Sequence, residues 1–321
     1  MNPQATWLDA LPPSVARSAE VDVGTPIHLG GPSEPAVAFV RSGLVSLHTG
    51  RLSLGQAGPG ELVGAECLAG EAQREFEAHV AAPSALVVLD PEGLTWVAEH
   101  EPVAARQLEL SALGSLARRL AEVDHLIAEE AQLLVAEMPT GWAQSLPELG
   151  DPPAPEPGTG SGTAVSHGFE ALASTLLARF AQFVRPVRLR QGETLVLEGE
   201  QGRCVYLMYA GRIDVVRALD PHGLVVRLAR LGPEAIVGVG AAETGGRHSA
   251  TATAVTPVRA LRIDNEVWRT LTRLPSPEGT ALRRAAVGSL ARAYPAARDL
   301  VDSTDRRLRA AIHDRLYPDA H

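Results

Sequence analysis

His125 and Glu129 stand one helical turn apart, the spacing at which an imidazole and a carboxylate on one helix face could share a metal ion or a proton. No second histidine stands where a helical zinc site needs one, so the pair reads as a surface ion pair. Cys67 and Cys204 form no Cys-x-x-Cys pair and cannot supply four metal ligands. The sequence contains no lysine, so all 29 basic residues are arginine and a lysine-dependent phosphate loop is removed. Neither a Gly-x-Ser-x-Gly elbow nor a dinucleotide glycine fingerprint with its strand and acidic partner appears. These residues imply no cofactor and no metal, and they point away from an enzyme.

The other concentration of chemistry is cationic. Arg283, Arg284, Arg292, Arg298, Arg306, Arg307, Arg309 and Arg315 crowd the last helical segment, which keeps a nucleic-acid partner in view. Asp299, Asp302, Asp305 and Asp314 are interleaved with them, and opposite charges three and four apart are the pattern of a solvated helix face. A net charge of -9 also opposes chain-wide attraction to nucleic acid, so DNA contact is the minority expectation. No charged-then-apolar leader is visible, and no apolar run approaches the roughly 20 residues that span a bilayer. A soluble cytoplasmic protein with reduced cysteines and no membrane partner is expected.

With 321 residues, 45% of them hydrophobic, the chain can bury two ordinary cores. Gly150 to Thr163 punctuates it: Pro152, Pro153, Pro155 and Pro157 sit among Gly158, Gly160, Ser161 and Gly162, the composition of a surface linker. The halves on either side repeat. At an offset of 168, Gly24, Leu29, Gly31, Val37 and Gly43 fall on Gly192, Leu197, Gly199, Val205 and Gly211. Farther on the offset is 174, six more, which places an insertion around Leu219 to Gly223 in a hairpin turn. There Gly58-Pro59 meets Gly232-Pro233, Val63-Gly64 meets Val237-Gly238, Pro83 meets Pro257 and Asp90 meets Asp264. Gly114-Ser115-Leu116-Ala117-Arg118 then recurs as Gly288-Ser289-Leu290-Ala291-Arg292.

Short β-branched runs at Val205 to Met208, Ile213 to Val216, Val225 to Leu228 and Leu261 to Ile263, bounded by glycines, predict strands of a sandwich or roll. The period then changes. Leu113, Leu116, Leu120, Val123, Ile127 and Leu134 advance by three and four along one helix face, and Val287, Leu290, Tyr294, Ala297, Val301 and Leu308 do the same in the second copy. Such a seam packs on its own roll or on a partner helix, and the partner helix is the preferred expectation. Val165 to Phe183 is helical in pattern and is expected to lead into the second roll.

Together these features resemble the catabolite-activator/FNR family over Leu8 to Met138 and Phe169 to His313. The cues are Gly192-Glu193-Thr194-Leu195, the Ala210-Gly211 turn after Tyr206, Arg247 to Thr256 leading to Ile263, and their first-copy counterparts Val40 to Leu47 and Gly58 to Leu68. The resemblance implies an α+β fold of two cyclic-nucleotide-binding-type β-rolls (double-stranded β-helix or jelly roll), each followed by a long packing or dimerisation helix. It also implies a phosphate cassette in which a Gly-Glu carboxylate reads a ribose hydroxyl and an arginine nine or ten residues later holds the cyclic phosphate.

Both copies depart from that cassette. In the second, Val239 follows Gly238, and His248 rather than Arg247 stands at the arginine place, with Arg247 and Ser249 beside it as substitute donors or as an ordinary exposed turn. In the first, Arg74 is in place, nine residues after Ala65, while Glu66 lies one place beyond the expected carboxylate; Arg74 either binds an anion or pairs on the surface with Glu75 or Glu77. The helix positions that touch purine in the family correspond to Val123-Asp124 and Ala297-Arg298, which offer no purine contact.

The expected organisation is a first roll and helix over 1–138, a linker over 139–166, and a second roll and helix over 167–321. The family's helix-turn-helix has no place after either helix. The expected function is a non-enzymatic regulator, sensor or scaffold that does not bind cyclic AMP in the family's usual mode, its two helices pairing within the chain as a pseudo-dimer or between chains. A protein partner is expected and a small anionic ligand is possible. The rivals are a DNA-bound regulator using the arginine-rich helix and a sensor of another small anion.

Overall fold

Along the second half small and β-branched apolar residues alternate with polar ones, and a backbone with that pattern buries one face of a sheet. The computed structural model describes residues 7–9, 11–27, 29, 36–49, 52–69, 77–137, 162–218, 225–293 and 306. Two compact units divide the chain. One comprises Met1–Arg119 with Arg269–Arg292, and the other Leu120–Trp268 with Ala293–His321. The units are thus interleaved in sequence, whereas division at the proline-rich segment cuts the chain in order. Residues 139–161 of that segment lie outside the described residues, and its last residues, from Gly162, are already helical.

The first unit contains β1 (Arg17–Val21), β2 (Val37–Thr49), β3 (Leu52–Ala57), β4 (Leu62–Val63), a 3-10 turn at Ala65–Ala69, β5 (Glu77–Leu89) and α1 (Pro91–His100). Then α2 (Pro102–Glu137) begins in this unit and ends in the other. The sheet order is β1-β5-β2-β3 with β4 on β2, all antiparallel. β2 and β5 pair along their length, with register shifts from Val40 to Val45 that bend both strands. Gly43 stands in the bend at φ 88°, and a Cβ there would fall 2.3 Å from the Pro83 carbonyl oxygen. The buried Ser84 hydroxyl pins the same place, accepting from the Leu44 amide at 2.9 Å and donating to the Ala82 carbonyl at 2.6 Å.

In the second unit α3 (Gly162–Phe180) leads into β6 (Val184–Leu189), β7 (Thr194–Val196), β8 (Cys204–Ala210), β9 (Ile213–Ala218), β10 (Val225–Leu231), β11 (Ile236–Val237), α4 (Val239–Thr244), β12 (Thr251–Ala254) and β13 (Val258–Asp264). Every expected strand of this half is present. They form two antiparallel four-stranded sheets, β10-β9-β12-β7 and β11-β8-β13-β6, around a core that includes Leu195, Met208, Ile213, Val237, Ala252 and Val258. β9 and β10 pair as antiparallel neighbours, and the expected insertion around Leu219 to Gly223 lies outside the described residues. The pairings match those of the first unit: β4 on β2 and β2 on β5 correspond to β11 on β8 and β8 on β13. Gly211, the repeat partner of Gly43, has φ 91° and its Cβ would likewise fall 2.3 Å from the Pro257 carbonyl.

α5 (Asn265–Arg273) crosses from the second unit back to the first, where α6 follows over 277–293. Ser276 caps α6 by accepting the Gly279 amide at 3.2 Å, with Pro277 at the first helical position. Leu113 and Leu116 on α2 and Val287 and Leu290 on α6 are buried in the first unit, Ile127 is buried in the second, and Leu120 is half-buried. Tyr294 and Val301 lie outside the described residues. The recurring segment of α2 grips a strand: Ser115 Oγ accepts the Leu62 amide at 3.0 Å, Arg119 donates to the Leu62 carbonyl, and Arg118 pairs with Glu61. Among the described residues no helix is long and apolar enough to cross a membrane.

The two kinds of glycine turn separate experimentally. Gly192 also has positive φ, at 85°, but a Cβ there meets nothing within 4 Å. Gly192→Ala should cost about 1 kcal/mol, the left-handed backbone alone, whereas Gly211→Ala should cost at least ~2 to 3 kcal/mol more because backbone must move. Equal losses in chemical denaturation would show that the bend yields freely.

Candidate functional site

The expected cassette of the second half begins at Gly238, whose φ of 90° and tight approach, a Cβ there falling 2.8 Å from the Cys204 carbonyl, require glycine. Its repeat partner Gly64 does the same against the Ala36 carbonyl at 2.9 Å. α4 follows, burying Val239, Ala241 and Ala242. Val239 therefore fills the carboxylate place with packing and offers no acceptor. The segment returns along the backbone of 199–202, with His248 N–H donating to the Glu200 carbonyl and Gly199 N–H donating to the His248 carbonyl, both at 2.9 Å. Gln201 Nε2 donates to the Gly245 and Gly246 carbonyls at 3.0 Å.

Arg247, His248 and Ser249 leave this loop in different directions. The exposed Arg247 donates through Nη1 to the Gly199 carbonyl at 2.6 Å, which ties its side chain to the loop. His248 is half-buried, and burial holds its pKa below the usual histidine value despite the opposing pull of Glu200. A neutral imidazole cannot replace an arginine as the cation for a phosphate. Ser249 Oγ donates to Asp124 Oδ2 at 2.9 Å.

Asp124 reaches the second unit from α2, within an apolar run that includes Val123, Ile127 and Ala128. It is itself buried, and its carboxyl is raised from 3.8 to about 6 by desolvation, against the lowering effects of the Ser249 hydroxyl and then the Arg217 charge. Arg217 on β9 donates through Nη1 to the Asp124 main-chain carbonyl at 2.9 Å and lies 3.6 Å from Glu198. Its Nη2 is 3.4 Å from His125 Nδ1. A guanidinium has no acceptor, so Nδ1 must accept, which leaves the proton on Nε2 facing Glu129 Oε1 at 3.1 Å. The expected His125–Glu129 surface pair is thus present and also leans on Arg217. Glu198 Oε2 in turn accepts the Ala218 amide at 2.9 Å.

In the first unit Glu66 is buried on the 3-10 turn after Gly64, and Arg74 lies outside the described residues. Of the arginine-rich helix, Arg283 is buried and makes four hydrogen bonds: Nε to Glu109 Oε2 at 2.7 Å, Nη1 to the Thr272 and Leu274 carbonyls at 2.7 and 3.1 Å, and Nη2 to Thr280 Oγ1 at 3.0 Å. Arg284 Nε shares Glu109 through Oε1 at 2.8 Å. Among the described residues no group of three or more His, Cys, Asp or Glu side chains is placed to hold a metal ion.

Residues 186–273 match the cyclic nucleotide-binding domain family. A CRP-like cAMP-activated global transcriptional regulator of Mycobacterium tuberculosis is 28% identical over 101 residues, 32% of this chain and 45% of that protein, so the chain spans less than half the length of this curated relative. The N-terminal domain of a transcriptional regulator from Streptomyces coelicolor A3(2) is 30% identical over 36% of this chain and 81% of its own, with a TM-score of 0.30. The regulatory domain of Toxoplasma gondii PKA, solved with cAMP, aligns over 83% of this chain and 87% of its own at 12% identity and a TM-score of 0.29.

The raised Asp124 carboxyl makes a prediction about stability. A folded-state pKa of about 6 against 3.8 means the folded chain holds this proton more tightly than the unfolded one. The resulting stabilisation is complete below the unfolded value and disappears as pH rises through about 6, a change on the order of 3 kcal/mol. Asp124→Asn carries no charge at any pH. Its stability relative to the parent protein should therefore rise by that order between about pH 4 and pH 7.5, and a pH-independent difference would show that the carboxyl is not desolvated.

Proposed function

We propose that the chain is a non-enzymatic regulatory module built from two β-rolls of the cyclic-nucleotide-binding type, and that its second roll does not bind cyclic AMP in the family's usual mode. The observation that carries this is the fate of three cassette positions: Val239 is buried in packing, His248 is held neutral, and Ser249 is committed to Asp124. The relatives' roles as transcriptional regulators and a kinase regulatory domain support a regulatory role. The matching strand pairings, and the tight bends at Gly43 and Gly211, support two copies of one roll.

Intrachain pairing of the long helices belongs to the same proposal. Glu109 on α2 binds both Arg283 and Arg284 on α6, which supports α2 and α6 taking the places of two dimerisation helices in one polypeptide. It also withdraws the buried Arg283 from any nucleic-acid surface, while Arg284 stays exposed, which favours a scaffold or sensor over a DNA reader.

A charged hydrogen bond contributes roughly 1.5 to 3 kcal/mol, and each factor of ten in affinity is about 1.4 kcal/mol. Loss of the ribose carboxylate and the phosphate arginine should then weaken cyclic nucleotide by two or more orders of magnitude relative to an intact cassette. Calorimetry with cyclic AMP and cyclic GMP should give no saturable binding at micromolar concentration; micromolar affinity would overturn the proposal. Light scattering at low protein concentration should give the mass of one chain. A concentration-independent mass of two chains would sink the intrachain pairing.

A further inference from the structure

The most unusual group in the second unit is a carboxylate that the cassette does not require. Asp124 is brought by α2 into an apolar setting, where an ionised acid is costly unless donors await it. Donors do await it. Ser249 has a single hydroxyl proton and gives it to Asp124 Oδ2, while Arg217 supports the same helix turn through the main-chain carbonyl. We propose that Asp124 is the second roll's built-in anion: its carboxylate takes the donor that a small external oxyanion would use, so such an anion and the ionised Asp124 exclude each other. This deepens the proposed function and rests on reading 238–249 as the ligand-facing segment.

The surrounding charges make the exclusion mutual. Arg217 is the cation facing Asp124 from β9, and it is already shared with Glu198. His248, next to Ser249, is kept neutral by burial. From α2 itself His125 presents an accepting nitrogen to Arg217, and Glu129 holds its other edge. With Asp124 ionised, one positive charge on Arg217 faces two negative charges, on Asp124 and Glu198. A further anion would add a second uncompensated negative charge at short range, where like charges strongly disfavour one another. Once Asp124 is neutral the two remaining charges balance, and Ser249 is free to turn to a new acceptor. Proton uptake by Asp124 and anion binding at Ser249 are therefore coupled, and reciprocally so.

The test uses the full chain and two probes whose charge is constant between about pH 5.5 and pH 7.5, sulfate by equilibrium dialysis and cyclic AMP by calorimetry. At pH 7.5 Asp124→Asn and Asp124→Ala should each bind at least one probe tenfold or more tighter than the parent protein. Lowering the pH to 5.5 should raise the parent's affinity by a comparable factor and leave both variants unchanged. Adding Ser249→Ala to Asp124→Asn should abolish the gain. Gain toward sulfate alone marks a simple oxyanion site, and gain toward cyclic AMP marks one that also admits the nucleotide. No gain toward either probe in variants with parental circular dichroism overturns the proposal, and so does a gain that survives Ser249→Ala. Micromolar cyclic AMP binding by the parent protein would instead overturn the proposed function, so the two failures are distinct.

Discussion

The hydrogen bond from Ser249 to Asp124 governs the candidate site. An ionised carboxylate away from water is tolerated only with a donor in place, and this one takes the Ser249 hydroxyl, while Arg217 reaches from β9 to the main-chain carbonyl of the same residue. Arg217 in turn takes up Glu198, whose other oxygen caps the Ala218 amide, and it sets the tautomer of His125. One buried acid on a helix thus organises one strand and two loops. The residues that would be expected to meet a nucleotide are consequently engaged with one another or with backbone.

Much of the fold was legible in the sequence, for reasons of steric chemistry. Gly43 with Pro83 and Gly211 with Pro257 mark the same bend twice, because a positive φ beside a carbonyl at 2.3 Å leaves no room for any side chain. Gly64 and Gly238 are legible on the same ground. The repeated Gly-Ser-Leu-Ala-Arg segment was visible too, but the task of its serine, receiving the Leu62 amide, was not. A hydroxyl inside a helix says nothing by itself about which distant amide it will meet.

The site was less legible because its partners are far apart in the chain. Asp124 and Ser249 are separated by 125 residues, and Asp124 and Arg217 by 93. Val123-Asp124 stood out only as a place where purine contacts were missing; that the acid would face inward, onto Ser249 of the second unit, is a property of tertiary packing. One arginine of the last helix departs from its reading in the opposite sense. Interleaved charges read as a solvated face, and Arg284, Arg292 and Arg306 are exposed, yet Arg283 is buried with four protein acceptors. Periodicity sees which residues share a face of one helix, and it is blind to a partner acid such as Glu109 arriving from elsewhere.

The interleaving of the two units bears on biosynthesis. The first unit is completed by Arg269–Arg292, which follow all the strands of the second. While the chain emerges from the ribosome, β1 to β5 are available early, but Arg283 and the buried Val287 and Leu290 arrive only after β6 to β13 have been made. The order of synthesis and the order of structural completion are therefore opposed in this protein, and neither unit is a contiguous piece that proteolysis at the proline-rich segment could release intact.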